Sequence, residues 1–190
     1  ELNGLIQEIL DFRKAEDAGF SHTHIRRVSV SSLLRTQFEW FYPLSEQHQI
    51  QFKIDAPKEL YWNTDSVYFK KILANLISNA FKYTEDGGTV RISLHEEENF
   101  LVLKVYNTGK GIEEADMQNI FDRYRILGTM DNDDNRQNTA RNGLGLFICH
   151  SLVQSLGGKI DIESEVGQYA EFTVTLPFGI VEESSDDTID

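Results

Sequence analysis

Apolar residues recur along this chain at two spacings, helical and alternating, and the elements they predict come in mixed order. Leu2, Leu5, Ile6, Ile9 and Leu10, continued by Phe12, line one side of a helix over residues 2–14, which Ala18-Gly19 breaks. Val28-Ser29-Val30 suggests a short strand. Ser31 or Ser32 then caps a helix from Leu33, with Leu34, Phe38 and Phe41 on one side and Pro43 kinking or dividing it. Residues 50–54 alternate as a half-buried strand. Asn63, Thr64 or Asp65 can cap the next helix, which runs through Tyr83 with Val67, Phe69, Ile72, Leu73, Leu76 and Ile77 as apolar positions. Strands over 89–94 and 100–106 follow, joined by the acidic Glu96-Glu97-Glu98, and then a short helix over 113–120. A helix over 144–156 is closed by Gly157-Gly158, and strands over 159–164 and 170–176 end at Pro177. Three main helices over one mixed sheet of about five strands make an α+β fold, a two-layer α/β sandwich. No βαβ series is present, which disfavours a dinucleotide-binding fold.

Residues 126–142 leave this regularity. They carry Gly128, Asp131, Asn132, Asp133, Asp134, Asn135, Asn138 and Asn142 and almost no apolar group. A polar stretch of that length inside a domain reads as a functional lid or a disordered segment.

Length and charge narrow the function. With 190 residues, one domain with short appendages is the natural organisation. A net charge of −13 argues against nucleic acid as a partner, and any anionic ligand needs a local cluster of donors. Glu182, Glu183, Asp186, Asp187 and Asp190 make the last stretch an acidic linker by composition. The single cysteine, Cys149, excludes a disulfide framework and, in the apolar run Leu146-Phe147-Ile148-Cys149, reads as a buried structural thiol. No apolar run approaches the length needed to span a bilayer.

Three local patterns carry chemistry. Asn75, Asn79 and Lys82 share one face of the long helix, offering two amides and an ammonium: oxygen ligands for a hard cation and a donor for phosphate. Asparagine is a poor helix former, so two on one face ask for a reason, although a solvated polar stripe is the plainer account. Asn107-Thr108-Gly109-Lys110-Gly111-Ile112 follows a strand, where glycines permit either close approach to a ligand or a tight turn. Gly143-Leu144-Gly145-Leu146 opens a helix, where unobstructed N–H groups can cradle an anion or where small residues serve packing.

In this order and spacing, together with Phe121-Asp122-Arg123-Tyr124, these patterns resemble the ATP-binding catalytic domain of sensor histidine kinases. That domain belongs to the ATPase superfamily of DNA gyrase, MutL and the Hsp-type chaperones, with a Bergerat-type fold. The resemblance runs from about Val28 to Pro177 and implies ATP and Mg2+ as ligands. It implies that Asn79 ligates the magnesium and that Asn75 stands where hydrolytic members keep a glutamate base. Lys82 is implied to contact phosphate, and Asn75 and Lys82 to be the catalytic pair. Tyr83, Asn107, Gly109, Gly111 and Ile112 are implied around the adenine, and Gly143, Leu144, Gly145 and Leu146 around the phosphates. Arg123 lies in the motif that steadies the lid.

The resemblance further implies three parts: 1–19 as the end of a dimerisation-domain helix, 20–178 as the catalytic domain, and 179–190 as a linker or tail. The partners it implies are the dimerisation and phosphoacceptor domain of the same protein, a response regulator or receiver domain, and a second copy in a homodimer. It places the domain in the cytoplasm, in a membrane-anchored sensor. None of His22, His24, His48, His95 and His150 has the sequence expected of the phosphate-accepting histidine. Two departures stand out. Asn107 replaces the family's aspartate, and Gly167-Gln168-Tyr169-Ala170 replaces a Gly-x-Gly-Thr motif. A true ATPase and a non-catalytic nucleotide-binding or scaffolding module are the rival functions.

Overall fold

The computed structural model describes residues 23–117, 119–122 and 145–180. Along the chain these form β1 (Arg26–Ser29), α1 (Val30–Gln47), β2 (Gln51–Asp55), β3 (Tyr61–Thr64), α2 (Ser66–Tyr83), β4 (Thr89–Glu97), β5 (Phe100–Thr108), α3 (Glu114–Met117), α4 (Gly145–Ser155), β6 (Lys159–Glu165) and β7 (Tyr169–Pro177). The helix expected over 2–14 and the stretch 126–142 lie outside the described residues.

Five strands form the main sheet in the order β2-β4-β5-β7-β6. β2 runs parallel to β4, and every other neighbour is antiparallel. The sheet is mixed, as the sequence predicts, and α1, α2 and α4 pack on it to give the two-layer sandwich. Alternation explains why. Along β7, Ala170, Phe172, Val174 and Leu176 are buried while the residues between them are not, which puts one face of the strand against the helices. The inward rows Val90, Ile92 and Leu94 of β4 and Leu101, Leu103 and Val105 of β5 continue that face. Against them α2 packs Phe69, Ile72, Leu73, Leu76, Ile77, Ala80 and Phe81. α4 adds Cys149, Leu152 and Val153, and burial pushes the Cys149 thiol up to about 12, fitting a structural role.

The structure differs from the sequence expectations in four places. α1 begins at Val30, earlier than expected, and its cap is Ser29, whose side chain accepts from the Ser32 N–H; Ser31 is fully buried and Val30 belongs to the helix. Pairing of β1 with β3 fixes this start, because Ser29 is the last residue opposite Tyr61. Pro43 sits inside α1 without dividing it. Glu39 and Pro43 are both exposed, so water can satisfy the carbonyl that proline leaves without a donor. β3 was not expected at all, and with β1 it makes a separate two-stranded sheet. Finally, Glu96 and Glu97 belong to β4, so the hairpin closes through Glu98 and Asn99 alone, both at positive φ (48° and 67°), as a two-residue turn demands.

Candidate functional site

The site is built along α2. Asp65 caps this helix, its Oδ1 accepting from the N–H groups of Val67 (2.8 Å) and Tyr68 (3.1 Å). Burial of Leu76, Ile77, Ala80 and Phe81 turns Asn75 and Asn79 to a half-buried side and leaves Lys82 and Tyr83 exposed. The shared polar face expected from the spacing is thus present.

At one end of that face stands α4. A Cβ on Gly145 in α4 would lie 3.3 Å from Asn75 Oδ1, a tight contact that the bare backbone avoids. The Gly145 backbone in α4 and the Asn75 amide oxygen therefore lie against each other. Leu146 packs on the core behind them. At the other end, about 12 Å along the helix at 1.5 Å per residue, Tyr83 meets the loop after β5. A Cβ on Gly109 would be 2.2 Å from the Tyr83 carbonyl oxygen, and one on Gly111, at φ +65°, would be 2.2 Å from the Glu165 carbonyl oxygen. Both glycines are thus required by approach to the protein's own backbone. The Lys82 ammonium lies 5.2 Å over the Tyr83 ring, at this end of the face.

Asn107 is 5% exposed, at the end of β5. Its amide nitrogen donates to the Thr108 carbonyl (3.1 Å), which leaves the amide oxygen as the acceptor it can offer to a ligand. Directly opposite in β7 is Ala170, also 5% exposed. Thr108 Oγ1 accepts from the Thr89 N–H at 2.8 Å and ties the end of β5 to β4.

Sequence reasoning missed the lacing that holds this loop. Gly109 N–H donates to the Gln168 carbonyl (3.1 Å) and Gly167 N–H to the Lys110 carbonyl (2.7 Å). Ser164 Oγ accepts from the Ile112 N–H (2.8 Å) and donates to the Tyr169 carbonyl (2.6 Å). The turn between β6 and β7 is therefore a brace for the loop. No local signal marks Ser164, since its partners are 52 and 5 residues away. Replacing Ser164 with alanine leaves the Ile112 N–H without its partner and is expected to cost about 1 kcal/mol of stability, read as a lower melting temperature.

Phe121 stacks on His150 of α4 (5.2 Å, 19°) and stands edge-on to Phe172 (6.5 Å, 73°), so the Phe-Asp-Arg motif is anchored at its first residue to both layers. Arg123, Gly143 and Leu144 lie outside the described residues. A cavity of about 530 Å3 between α1 and β2, lined by Tyr42, Ser45, Glu46, Gln49, Ile50 and Phe52, shares no residue with this face of α2.

Residues 64–180 match the family described as histidine kinase-, DNA gyrase B- and HSP90-like ATPase. The chain is 30% identical over 176 residues to the sensor protein SrrB of Staphylococcus aureus, covering 93% of this chain and 29% of SrrB. It therefore spans less than a third of that curated relative. Among solved structures, full-length ShkA in complex with AMPPNP superposes with a TM-score of 0.78 at 26% identity, over 94% of this chain and 36% of ShkA. The histidine kinase ThkA, solved with the response regulator TrrA, gives 0.71 at 21% identity over 94% of this chain and 47% of that one, a likeness of fold. The chain belongs to the histidine kinase-, DNA gyrase B- and HSP90-like ATPases, and its relatives place it with the catalytic domains of sensor histidine kinases.

Proposed function

We propose that this domain binds Mg-ATP and passes the γ-phosphoryl group to a histidine outside the chain. The observation that supports the reading is Asn75 set against the bare backbone of Gly145, with Asn79 one turn further along the same face. The donor set fits the group: amide oxygens for a hard cation and, at Gly145, a backbone whose space a Cβ would fill. Asn79 would hold the magnesium ion, which supplies charge neutralisation at the phosphates. The backbone at Gly145 would receive phosphate oxygens. The exposed Lys82 side chain, which rests over the Tyr83 ring in the free chain, would swing back along the face to reach them. Tyr83, Gly109, Ile112 and Asn107 would frame the base.

Phosphoryl transfer asks a protein chiefly for positioning and electrostatic support, and amides, N–H groups and one ammonium supply both. Asn75 cannot take a proton from water, because an amide has no basic site at neutral pH. Water is then a poor nucleophile here and a protein acceptor is favoured, which sets this chain apart from a true ATPase.

In this reading residues 20–178 are the catalytic domain, 1–19 the end of a dimerisation helix and 179–190 a linker. The partners are a phosphoacceptor domain of the same homodimeric protein and a response regulator or receiver domain, as in the ThkA–TrrA complex. No helix among the described residues is long and apolar enough to cross a membrane. The domain is proposed to act on the cytoplasmic side of an anchored sensor. A nucleotide-binding module without transfer is the second reading, favoured by the neutral Asn107 beside Ala170.

One experiment separates these readings. The chain is mixed with a histidine-containing dimerisation domain and radiolabelled ATP, with and without magnesium. Acid-labile, magnesium-dependent label on that domain is expected. Nucleotide binding without label would support the module, and release of free phosphate at a comparable rate would support the ATPase.

A further inference from the structure

Residues 60–65, which contain β3, receive four separate parts of the chain. The Leu60 carbonyl accepts from the N–H groups of Val30 (3.0 Å) and Ser31 (3.5 Å) at the start of α1. Trp62 and Asn63 hold the segment that follows β7. The Trp62 indole N–H donates to the Pro177 carbonyl (2.9 Å), and the Asn63 amide donates to the Gly179 carbonyl (3.1 Å). Gly179 N–H returns a bond to the Asn63 carbonyl (3.0 Å), and Phe178 stands edge-on to Trp62 (5.0 Å, 84°). A Cβ on Gly179 would lie 2.6 Å from the Asn63 carbonyl oxygen and 2.8 Å from Ile25, so this segment is pressed against both β3 and the chain leading into β1.

Asp65, 4% exposed, serves two of these parts with one carboxylate. Its Oδ1 caps α2, while its Oδ2 accepts from the His24 N–H (2.9 Å) just ahead of β1. The chain arriving before β1 and the chain leaving after β7 thus meet at one short stretch, which also fixes the head of the helix carrying Asn75, Asn79 and Lys82.

The geometry points to residues 60–65 as a joint, through which a displacement before His24 or beyond Gly179 is felt at the head of α2 and along it at the nucleotide site. Asp65 is its positioning residue, acting through the bonds to His24 and to the head of α2. A helix is stiff along its axis, so a shift at its capped end is carried about 15 Å to Asn75 at 1.5 Å per residue. By linkage the effect runs both ways: what binds at Asn75 must bias the bonds at His24 and Gly179. The last step rests on the nucleotide reading above; the joint itself does not.

Amide exchange on the whole chain without nucleotide tests it. D65N separates the two tasks of the carboxylate. An amide has one oxygen, α2 offers it two donors, and the NH2 group is then left facing the His24 N–H, donor against donor. W62F removes the indole donor and keeps a ring against Phe178. In D65N, exchange over residues 24–29 is expected to rise about fivefold or more, with a parallel rise at Gly179, while Val67 and Tyr68 stay within about twofold. In W62F, Gly179 and, across the joint, His24 are expected to speed up together. Changes confined to 24–29 in the first variant and to 177–180 in the second would overturn the joint. Titration with AMPPNP then reads its reach: about threefold weaker binding is expected in both variants, and equal affinity in all three proteins would overturn transmission to the site. Failure of the unaltered chain to bind AMPPNP would instead count against the kinase reading, with the joint decided by exchange alone.

Discussion

Replacing Asn79 with alanine is expected to weaken Mg-ATP binding about a hundredfold while shifting the melting temperature by no more than about 2–3 °C. The asymmetry follows from where Asn79 sits. It is half-buried on the polar side of α2, and its neighbours Leu76, Ile77, Ala80 and Phe81 carry the packing. Alanine is also the better helix former by roughly half a kcal/mol, which offsets lost contacts. A metal ligand, by contrast, is not replaced by water at equal cost when the ion bridges phosphates held by other groups. Calorimetric titration with and without magnesium separates the effects: the loss should appear only with the metal. An unchanged affinity would remove Asn79 from the site, and a large fall in melting temperature would make it a structural residue.

Legibility of the sequence varied with the range of the interactions involved. α2 was readable almost in full, because its cap, Asp65, and its apolar positions are local and regular. β3 was not. Its four residues Tyr61-Trp62-Asn63-Thr64 are too few to show a period of two, and Asn63-Thr64 read as a cap because both residues favour that position. What makes this segment a strand is distant: β1 on one edge, and the Trp62 indole bonded to Pro177, 115 residues on. Ser31 and Ser32 were the caps the local sequence suggested, with Ser29 placed in a strand; pairing of β1 with β3 makes Ser29 the cap instead.

The candidate site divides in the same way. The polar face Asn75, Asn79, Lys82 is a consequence of helical spacing and was visible at once. The glycines of the loop after β5 were visible as glycines, but their purpose was not. Gly109 yields to the Tyr83 carbonyl and Gly111 to that of Glu165, contacts that exist only once α2 and the β6–β7 turn are in place. Ser164, which braces the same loop, left no trace in the pattern. The family was readable because several weak motifs stood in one order, although each alone had an ordinary explanation.

Asn107→Asp is expected to tighten ATP binding by up to about tenfold and to leave GTP nearly unchanged, although it makes the free protein less stable. The cost and the gain arise from the same geometry. In the free domain the Asn107 amide nitrogen donates to the Thr108 carbonyl at 3.1 Å, and the residue is 5% exposed. A carboxylate cannot donate there. It places oxygen against oxygen and gives up hydration, and Ala170 opposite has no hydroxyl to help it. That should lower stability by about 1–2 kcal/mol. These costs are present before the nucleotide arrives, so they largely cancel from the binding constant. An under-satisfied carboxylate has more to gain from the adenine amino group, and a charge-assisted bond exceeds a neutral one by on the order of 1 kcal/mol. Repulsion from the triphosphate works against this, but the magnesium ion would offset much of the phosphate charge. Guanine presents a carbonyl oxygen where adenine has its amino group, so the substitution offers it nothing. Titration calorimetry with both nucleotides, beside a melting curve of the free protein, checks each part. A lower melting temperature with tighter ATP and unaltered GTP is the expected set. Weaker ATP binding, or equal changes for both nucleotides, would show that Asn107 does not face the adenine amino group.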